Sequence, residues 1–180
     1  MNLAFCGTHS TGKTTLLNEL VNTCEKKLFT ITEVARKVIT SGYPMGKDAN
    51  INSYINYINL QLKAEQYAAS KQYDILISDR TMLDPLVYAL VNQALPRPFI
   101  PSYLIEMIEE IWKIQKEYYD LYIFFPIEFD MTSDGTRYED EKYRMDVEVK
   151  TKELLIKNNI NYISLTGSLD ERVLQMKKIL

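Results

Sequence analysis

Short apolar runs alternate along this chain with segments in which apolar positions recur every three or four residues. Runs of strand length occupy 2–6, 28–32, 73–79, 121–125 and 161–165. Helical spacing occupies 13–27, 33–39, 51–72, 83–94, 103–118, 139–158 and the end of the chain from the capping box at 168–171. This alternation is typical of a parallel sheet with helices on both faces. The pattern therefore predicts a three-layer α/β fold with a five-stranded parallel sheet.

The longest segment with helical spacing is 51–72. It follows Ser41-Gly-Tyr-Pro44, where glycine and proline end the preceding helix. Residues four positions apart lie on the same side of a helix, so spacing indicates which side chains share a face. The residues that we expect near one face of this helix are Tyr54, Ile55, Ile58, Leu62, Gln66 and Ala69.

The first apolar run leads into a phosphate-binding loop, or P-loop, with the pattern G-x-x-x-x-G-K-[ST]. The strand before it and the helix after it are the context that this motif requires. Glycine permits backbone angles that a Cβ would penalise, so the backbone N–H groups can turn inward as an anion nest at a helix N-terminus. The predicted nucleotide-binding residues are Gly7, Thr8, His9, Ser10, Thr11, Gly12, Lys13, Thr14 and Thr15.

Two side chains of this loop carry charge or a metal ligand. Lys13 is expected to reach the β- and γ-phosphates, and the Thr14 hydroxyl to bind a phosphate-bound Mg²⁺. His9 lies inside the loop, where backbone amides make most contacts, and we assign it no catalytic role. The motif therefore predicts that the chain binds a nucleoside triphosphate, with ATP and Mg²⁺ as the expected donor and metal.

Composition and charge limit the classes of function. A chain of 180 residues, 46% hydrophobic, suits one domain over 1–180. Its net charge of −3 disfavours a broad nucleic-acid-binding face without excluding a local basic cleft. Cys6 and Cys24 form no metal-ligand spacing or disulfide framework, and we expect both to be reduced. Without a signal peptide or an apolar run of membrane-spanning length, we expect a cytoplasmic protein that makes no membrane contact.

Two carboxylates follow predicted strands, where ligands of such sheets gather. Asp79 ends the third strand and is expected to bind Mg²⁺, although an Asp here can also simply cap the next helix. Glu33 ends the second strand and is a candidate general base, although a first-turn Glu is also favoured by the helix dipole. Arg36 lies one helical turn beyond Glu33, where it is positioned to contact substrate or to pair with Glu33. Further substrate-binding candidates are Arg80, Asp84 and Tyr88.

Arg137 lies in a loop with a turn signal at Asp134-Gly135, and Arg144 follows that loop. We expect 127–146 to form a lid in which Arg137 and Arg144 neutralise charge on the transferred phosphoryl group. Closure of such a lid also excludes water from the reacting groups. The alternative for Arg144 is a solvated charged helix, because acidic and basic residues alternate here.

These motifs together resemble the nicotinamide riboside kinase-type P-loop family, which includes the NadR kinase domain. The resemblance rests on the P-loop, Thr32-Glu-Val-Ala-Arg36, Ile77-Ser-Asp-Arg-Thr-Met-Leu-Asp84 and Asp134-Gly-Thr-Arg137 leading to Arg144. It implies a nucleoside- or nucleotide-kinase-like sheet, an arginine-bearing lid and an adenine-side loop near 166–167. Residues 42–60 and 93–102 are then expected to line the acceptor side.

The leading hypothesis is an ATP-dependent kinase that phosphorylates a nucleoside, a nucleotide or a nicotinamide riboside-like molecule. A kinase acting on a nucleic-acid end or a modified base is a second possibility, although it needs a basic channel that the net charge disfavours. A third is an ATP-hydrolysing regulatory module. The sequence contains no N-K-x-D signature of guanine-specific switches. It does not indicate the acceptor or the oligomeric state.

Overall fold

The computed structural model describes residues 1–96, 99–130 and 140–180. Strands and helices alternate in the predicted order. The strands are β1 Asn2–Cys6, β2 Leu28–Ile31, β3 Ile75–Asp79, β4 Leu121–Phe124 and β5 Tyr162–Ser164. The helices are α1 Lys13–Thr23, α2 Val34–Thr40, α3 Ile51–Ala69, α4 Leu83–Gln93, α5 Ser102–Gln115, α6 Glu141–Lys157 and α7 Leu169–Lys177.

The five strands form one parallel sheet in the order β2-β3-β1-β4-β5. The P-loop strand β1 is therefore central, β3 lies beside it and β2 lies one strand further out. Phe5 pairs with Asp79, and Ile31 pairs with Ser78, so the carboxyl ends of the three strands meet at one edge. This arrangement confirms the predicted fold class and positions the candidate carboxylates beside the P-loop.

Alternate residues of β1 serve the two faces of the sheet. Leu3 and Phe5 belong to a core cluster that includes buried residues of α1 and α7. Ala4 and Cys6 belong to a larger cluster with α4, α5 and α6. The strand is buried on both sides, as a parallel sheet between two helical layers requires. The three predicted layers are thus present.

The residues grouped on one face of α3 are not all buried. Ile55 is 40% exposed, and Gln66 and Ala69 are also exposed. Gln61 is fully buried and Glu65 is 5% exposed, because both find hydrogen-bond partners inside the protein. Because polar side chains occupy part of the buried face of α3, the apolar positions alone do not indicate which face is buried.

Several predicted helices end earlier than their sequence patterns. The first was expected to reach residue 27, but α1 ends at Thr23 and Cys24 adopts an extended backbone. The last was expected to reach the C-terminus and ends at Lys177. In the described part of the chain, no helix is long and apolar enough to cross a membrane.

Candidate functional site

The P-loop between β1 and α1 contains three residues with positive φ. They are Gly7 at 123°, Ser10 at 55° and Gly12 at 84°. A Cβ on Gly7 would lie 2.6 Å from the backbone oxygen of Phe125, so glycine is required there by space as well as by conformation. The loop consequently passes close against the end of β4.

The Lys13 side chain turns back into the loop. Its Nζ donates to the carbonyl oxygens of Gly7, at 3.1 Å, and Thr8, and to Thr11 Oγ1 at 2.9 Å. The pKa of Lys13 is lowered to about 7, mainly by burial and also by the nearby Arg80 charge, while Asp79 and Asp84 act to raise it. The ammonium group is therefore held inside its own loop, and its protonation depends on the charges around it.

Thr14 and Asp79 form a direct contact across the strand ends. Thr14 Oγ1 donates to Asp79 Oδ2 at 2.7 Å. The other carboxylate oxygen, Oδ1, is buried and has no hydrogen-bond partner within the described residues. A hydroxyl beside an unsatisfied carboxylate oxygen fits Mg²⁺, which proteins commonly hold through one or two carboxylates together with substrate phosphates. The described ranges contain no cluster of three or more His, Cys, Asp or Glu side chains that could hold a metal ion.

Arg144 lies behind the P-loop and is fully buried. It donates from Nε to the carbonyl of His9 at 3.2 Å and from Nη2 to the carbonyls of Ser10 and Phe129, each at 2.9 Å. The solvated-helix alternative for Arg144 is therefore wrong. Its guanidinium holds the backbone of the loop, and a direct role on the phosphoryl group stays a prediction.

Arg172 on α7 is a second buried arginine behind the loop, and sequence reasoning missed it. Nη1 donates to the carbonyl of Thr11 at 2.6 Å, and Nη2 pairs with Glu128 at 2.6 Å. The guanidinium also lies 5.0 Å from the ring centre of Phe129. Glu128 in turn accepts from the backbone N–H of Gly167 at 3.0 Å. Arg172 thus joins the P-loop to the loop after β5.

On the other side of the site, two arginines pair with carboxylates. Arg36 Nε lies 3.0 Å from Glu33 Oε2, which confirms the predicted pairing option. Arg80 Nη1 lies 2.6 Å from Asp84 Oδ1, and its guanidinium carbon lies 5.8 Å from the ring centre of Tyr88. Burial raises the pKa of Asp84, although the Arg80 charge and the N–H of Thr81 act to lower it.

These groups line one cleft of about 980 Å³. It brings together most of the predicted site residues, namely His9, Ser10, Thr11, Gly12, Lys13, Thr14, Thr15, Glu33, Arg36, Asp79, Arg80, Asp84 and Tyr88. Gly7, Thr8 and Arg144 do not line it. Arg137 and the rest of 131–139 in the predicted lid lie outside the described residues, so the role of Arg137 stays a prediction.

The two segments expected on the acceptor side differ in the structure. Seven residues of 42–60 line the cleft, namely Pro44, Met45, Gly46, Asp48, Ala49, Tyr54 and Tyr57. No described residue of 93–102 lines it, contrary to the expectation for that segment. Tyr143, which the sequence did not identify, lines the same wall of the cleft. Asn92 connects this wall: it donates to Tyr54 OH at 2.9 Å and to the carbonyl of Gly46 at 2.8 Å, and accepts from Tyr143 OH at 2.8 Å. These contacts join residues far apart in sequence, so no local pattern signals them.

A local signal did exist for both buried arginines. Arg144 shares the buried face of α6 with Val147 and Thr151, at spacings of three and seven residues. Arg172 shares the buried face of α7 with Met176. An arginine in a buried stripe requires a partner inside the protein, although the stripe does not show which partner that is.

Solved structures with the same fold include complexes with dATP and with NR. Deoxyadenosine kinase from M. mycoides with bound dATP superposes with a TM-score of 0.65 at 15% identity, covering 99% of both chains. NadR in complex with NR gives 0.78 at 20% identity, covering 99% of this chain and 50% of that one. Thymidylate kinase from Candida albicans gives 0.66 at 15% identity, covering 99% and 89%. The chain therefore has a P-loop kinase-like fold, spanning about half of NadR.

Sequence comparison identifies the family. No curated protein sequence matches the chain. A family model described as an AAA domain matches residues 2–172. This range includes β1, the P-loop and the buried Arg172. Because that match extends over nearly the whole length, the chain belongs to this AAA domain family of P-loop proteins.

Proposed function

We propose that this protein is an ATP-dependent kinase that transfers the γ-phosphoryl group to a nucleoside, a nucleotide or a nicotinamide riboside-like small molecule. One observation carries the proposal: the P-loop and the carboxylates Glu33, Asp79 and Asp84 line a single cleft. A donor phosphate on the loop and an acceptor beside the strand ends would meet there. The fold shared with kinases of nucleosides and nucleotides supports the same reading.

The donor side of the cleft would hold the triphosphate. Backbone N–H groups of the P-loop and the Lys13 ammonium bind phosphate oxygens, and Arg144 and Arg172 keep the loop backbone in place. Thr14 and Asp79 would hold Mg²⁺, which would supply neutralisation of phosphate charge. The protein thereby contributes position and electrostatic stabilisation, the two main requirements of phosphoryl transfer.

The acceptor side would activate the attacking hydroxyl. As the oxygen–phosphorus bond to the acceptor forms, the bond between the γ-phosphorus and its bridging oxygen breaks and ADP leaves. The Glu33 carboxylate takes the hydroxyl proton, and Arg36 holds that carboxylate through its 3.0 Å contact. Arg80 and Asp84 contact the acceptor, and the tyrosines around them form the wall against which it packs.

A screen for ADP release tests the proposal. Nucleosides, nucleotides and nicotinamide riboside are offered with ATP and Mg²⁺, and mass spectrometry identifies the phosphorylated product. Lys13→Ala is the control that removes the phosphate-binding ammonium and should abolish most transfer. Product formation on a DNA or RNA end instead would favour the nucleic-acid kinase, and ATP hydrolysis without any acceptor would favour the regulatory module. Unchanged turnover in Lys13→Ala would overturn the P-loop assignment.

A further inference from the structure

The backbone at Arg80 is in an unusual conformation for a residue with a side chain. Its φ is 95°, directly after β3, and the residue lines the cleft beside Asp79. Such conformations of non-glycine residues cost roughly 1–3 kcal/mol and persist only where the surroundings fix them. The side chain that this backbone directs into the cleft contacts Asp84 and the ring of Tyr88.

Two buried polar side chains hydrogen-bond to the backbone of Arg80. Ser78 is fully buried, and its Oγ donates to the carbonyl of Arg80 at 2.5 Å. Gln61 of α3 is also fully buried, and its Nε2 lies 3.3 Å from Ser78 Oγ and 3.4 Å from the same carbonyl. Ser78 Oγ and Gln61 Nε2 thus both donate to the carbonyl oxygen of Arg80. The direction of this carbonyl changes when the φ of Arg80 becomes positive.

Gln61 is itself held by a further buried group. Its Nε2 donates to Glu65 Oε1 at 2.8 Å, and Tyr119 OH donates to the same oxygen at 2.8 Å. Glu65 is 5% exposed, and burial raises its pKa against the effect of these two hydrogen bonds. A buried polar network costs stability unless its members are paired, so its presence beneath an apolar sheet calls for a role beyond packing.

We propose that Ser78 and Gln61 are positioning residues that hold the left-handed backbone of Arg80, and so set the place of its guanidinium on the acceptor side of the cleft. The inference rests on the proposed kinase function for its effect on rate. The geometric part, a backbone held by two buried side chains, is independent of the reaction. Neither residue lines the cleft, so each acts through Arg80.

The rate test is a double-mutant cycle with the acceptor identified by the screen. Ser78→Ala removes the hydroxyl, and Gln61→Met removes the amide while keeping the chain length. Each should lower kcat/KM for the acceptor roughly tenfold or more, because small displacements of a positioning group are costly, while KM for ATP changes little. In an Arg80→Met background the same changes should have less than about a twofold effect, because the group through which they act is absent.

Thr151→Val is the matched control. Thr151 is buried in α6, and its hydroxyl also donates to a backbone carbonyl, that of Val147, at 2.8 Å. It lines no part of the cleft, so its substitution should leave kcat/KM unchanged at comparable loss of stability. The proposal would be overturned if Ser78→Ala lowered kcat/KM equally in the wild type and in the Arg80→Met background. It would also be overturned if Ser78→Ala lowered kcat/KM no more than Thr151→Val does.

Hydrogen exchange tests the geometry without any turnover. The N–H of Arg80 donates to the carbonyl of Phe5 at 3.2 Å, and that of Thr81 to Asp84 Oδ2 at 2.9 Å. Both amides should exchange faster in Ser78→Ala and Gln61→Met than in the wild type, and not in Thr151→Val. If the wild type transfers no phosphoryl group, the proposed function fails while this measurement still decides the inference. Unchanged exchange at both amides would overturn it.

Discussion

The Lys13 ammonium is buried among the carbonyl oxygens of its own loop, close to a second cation, Arg80. Burial lowers its pKa from 10.5 to about 7. Between those pH values the folded protein binds fewer protons at this group than the unfolded chain does. Its contribution to the free energy of unfolding therefore rises with pH across that interval. Phosphate oxygens would reverse this shift by stabilising the charged form.

We therefore predict proton uptake when the protein binds ATP above neutral pH. At pH 8 Lys13 is mostly neutral before binding, so up to about one proton should be taken up per nucleotide, falling as the pH is lowered to 6. Calorimetry in buffers of different ionisation enthalpy measures this number. Lys13→Met should bind ATP more weakly and lose the uptake at pH 8. Equal uptake at pH 6 and pH 8 would contradict the role of this lysine.

The two carboxylates at the strand ends should separate in their metal dependence. Thr14 contacts Asp79 at 2.7 Å, whereas Glu33 follows the strand further out and pairs with Arg36. Asp79→Asn should raise the Mg²⁺ concentration needed for half-maximal activity. Glu33→Gln should leave that concentration alone and slow the single-turnover rate by roughly a hundredfold, as expected for a general base. A Mg²⁺ midpoint shifted only by Glu33→Gln would reverse the two assignments.

At the scale of elements, the P-loop was predictable as a motif, but its support was not. The glycines, Lys13 and Thr14 form a contiguous signature between a strand and a helix. Arg144 and Arg172, which bind the loop carbonyls, come from helices more than 130 residues away. Spacing within a helix indicates that such a residue is buried, whereas its partner depends on how helices pack across the sheet.

The approach of the P-loop to β4 gives a prediction about Gly7. A Cβ there would lie 2.6 Å from the carbonyl oxygen of Phe125, and φ is 123°. Gly42 also has a positive φ, 88°, but nothing lies within 4 Å of its Cβ position. Gly42→Ala should cost only the conformational penalty, about 1–2 kcal/mol. Gly7→Ala should lower the free energy of unfolding by clearly more, because the backbone must also move.

Urea denaturation of the two glycine variants measures the difference. Equal m-values would show that the changes act on stability and not on the compactness of either state. Gly7→Ala should also weaken nucleotide binding, because the loop it displaces carries the phosphate-binding amides. If Gly7→Ala were as stable as Gly42→Ala, the backbone at Phe125, just after β4, could move at little cost in free energy.

At the scale of the whole molecule, the meeting of the strand ends at one edge could be anticipated, and the wall of the cleft around Asn92 could not. Parallel strands joined by helices bring their carboxyl ends to one edge, which is why Glu33, Asp79 and the P-loop were expected to meet. The wall depends on Asn92, whose amide joins Tyr54 of α3 and Tyr143 of α6. Those contacts arise from packing between helices distant in the sequence, and the polar residues that make them resemble surface positions.

The last prediction uses Cys6 to report on opening of the whole sheet. Cys6 lies at the end of the central strand, 1% exposed, and burial raises the pKa of its thiol. Cys24, at the C-terminal end of α1, is partly exposed. A thiol reagent should therefore label Cys24 in the native protein, whereas Cys6 reacts only when β1 separates from its neighbours. A Cys24→Ser variant isolates the Cys6 reaction.

ATP with Mg²⁺ should protect Cys6 because the nucleotide binds only the closed protein. At about 100 times its Kd, the ligand adds about 2.7 kcal/mol to the free energy of opening and should slow labelling about a hundredfold. Lys13→Ala in the same background should show little protection, because it lacks the phosphate-binding ammonium. Labelling of Cys24 in a Cys6→Ser variant should not depend on ATP. If ATP left the Cys6 rate unchanged, β1 would open locally without disrupting the P-loop, and the sheet and the nucleotide site would not be one cooperative unit.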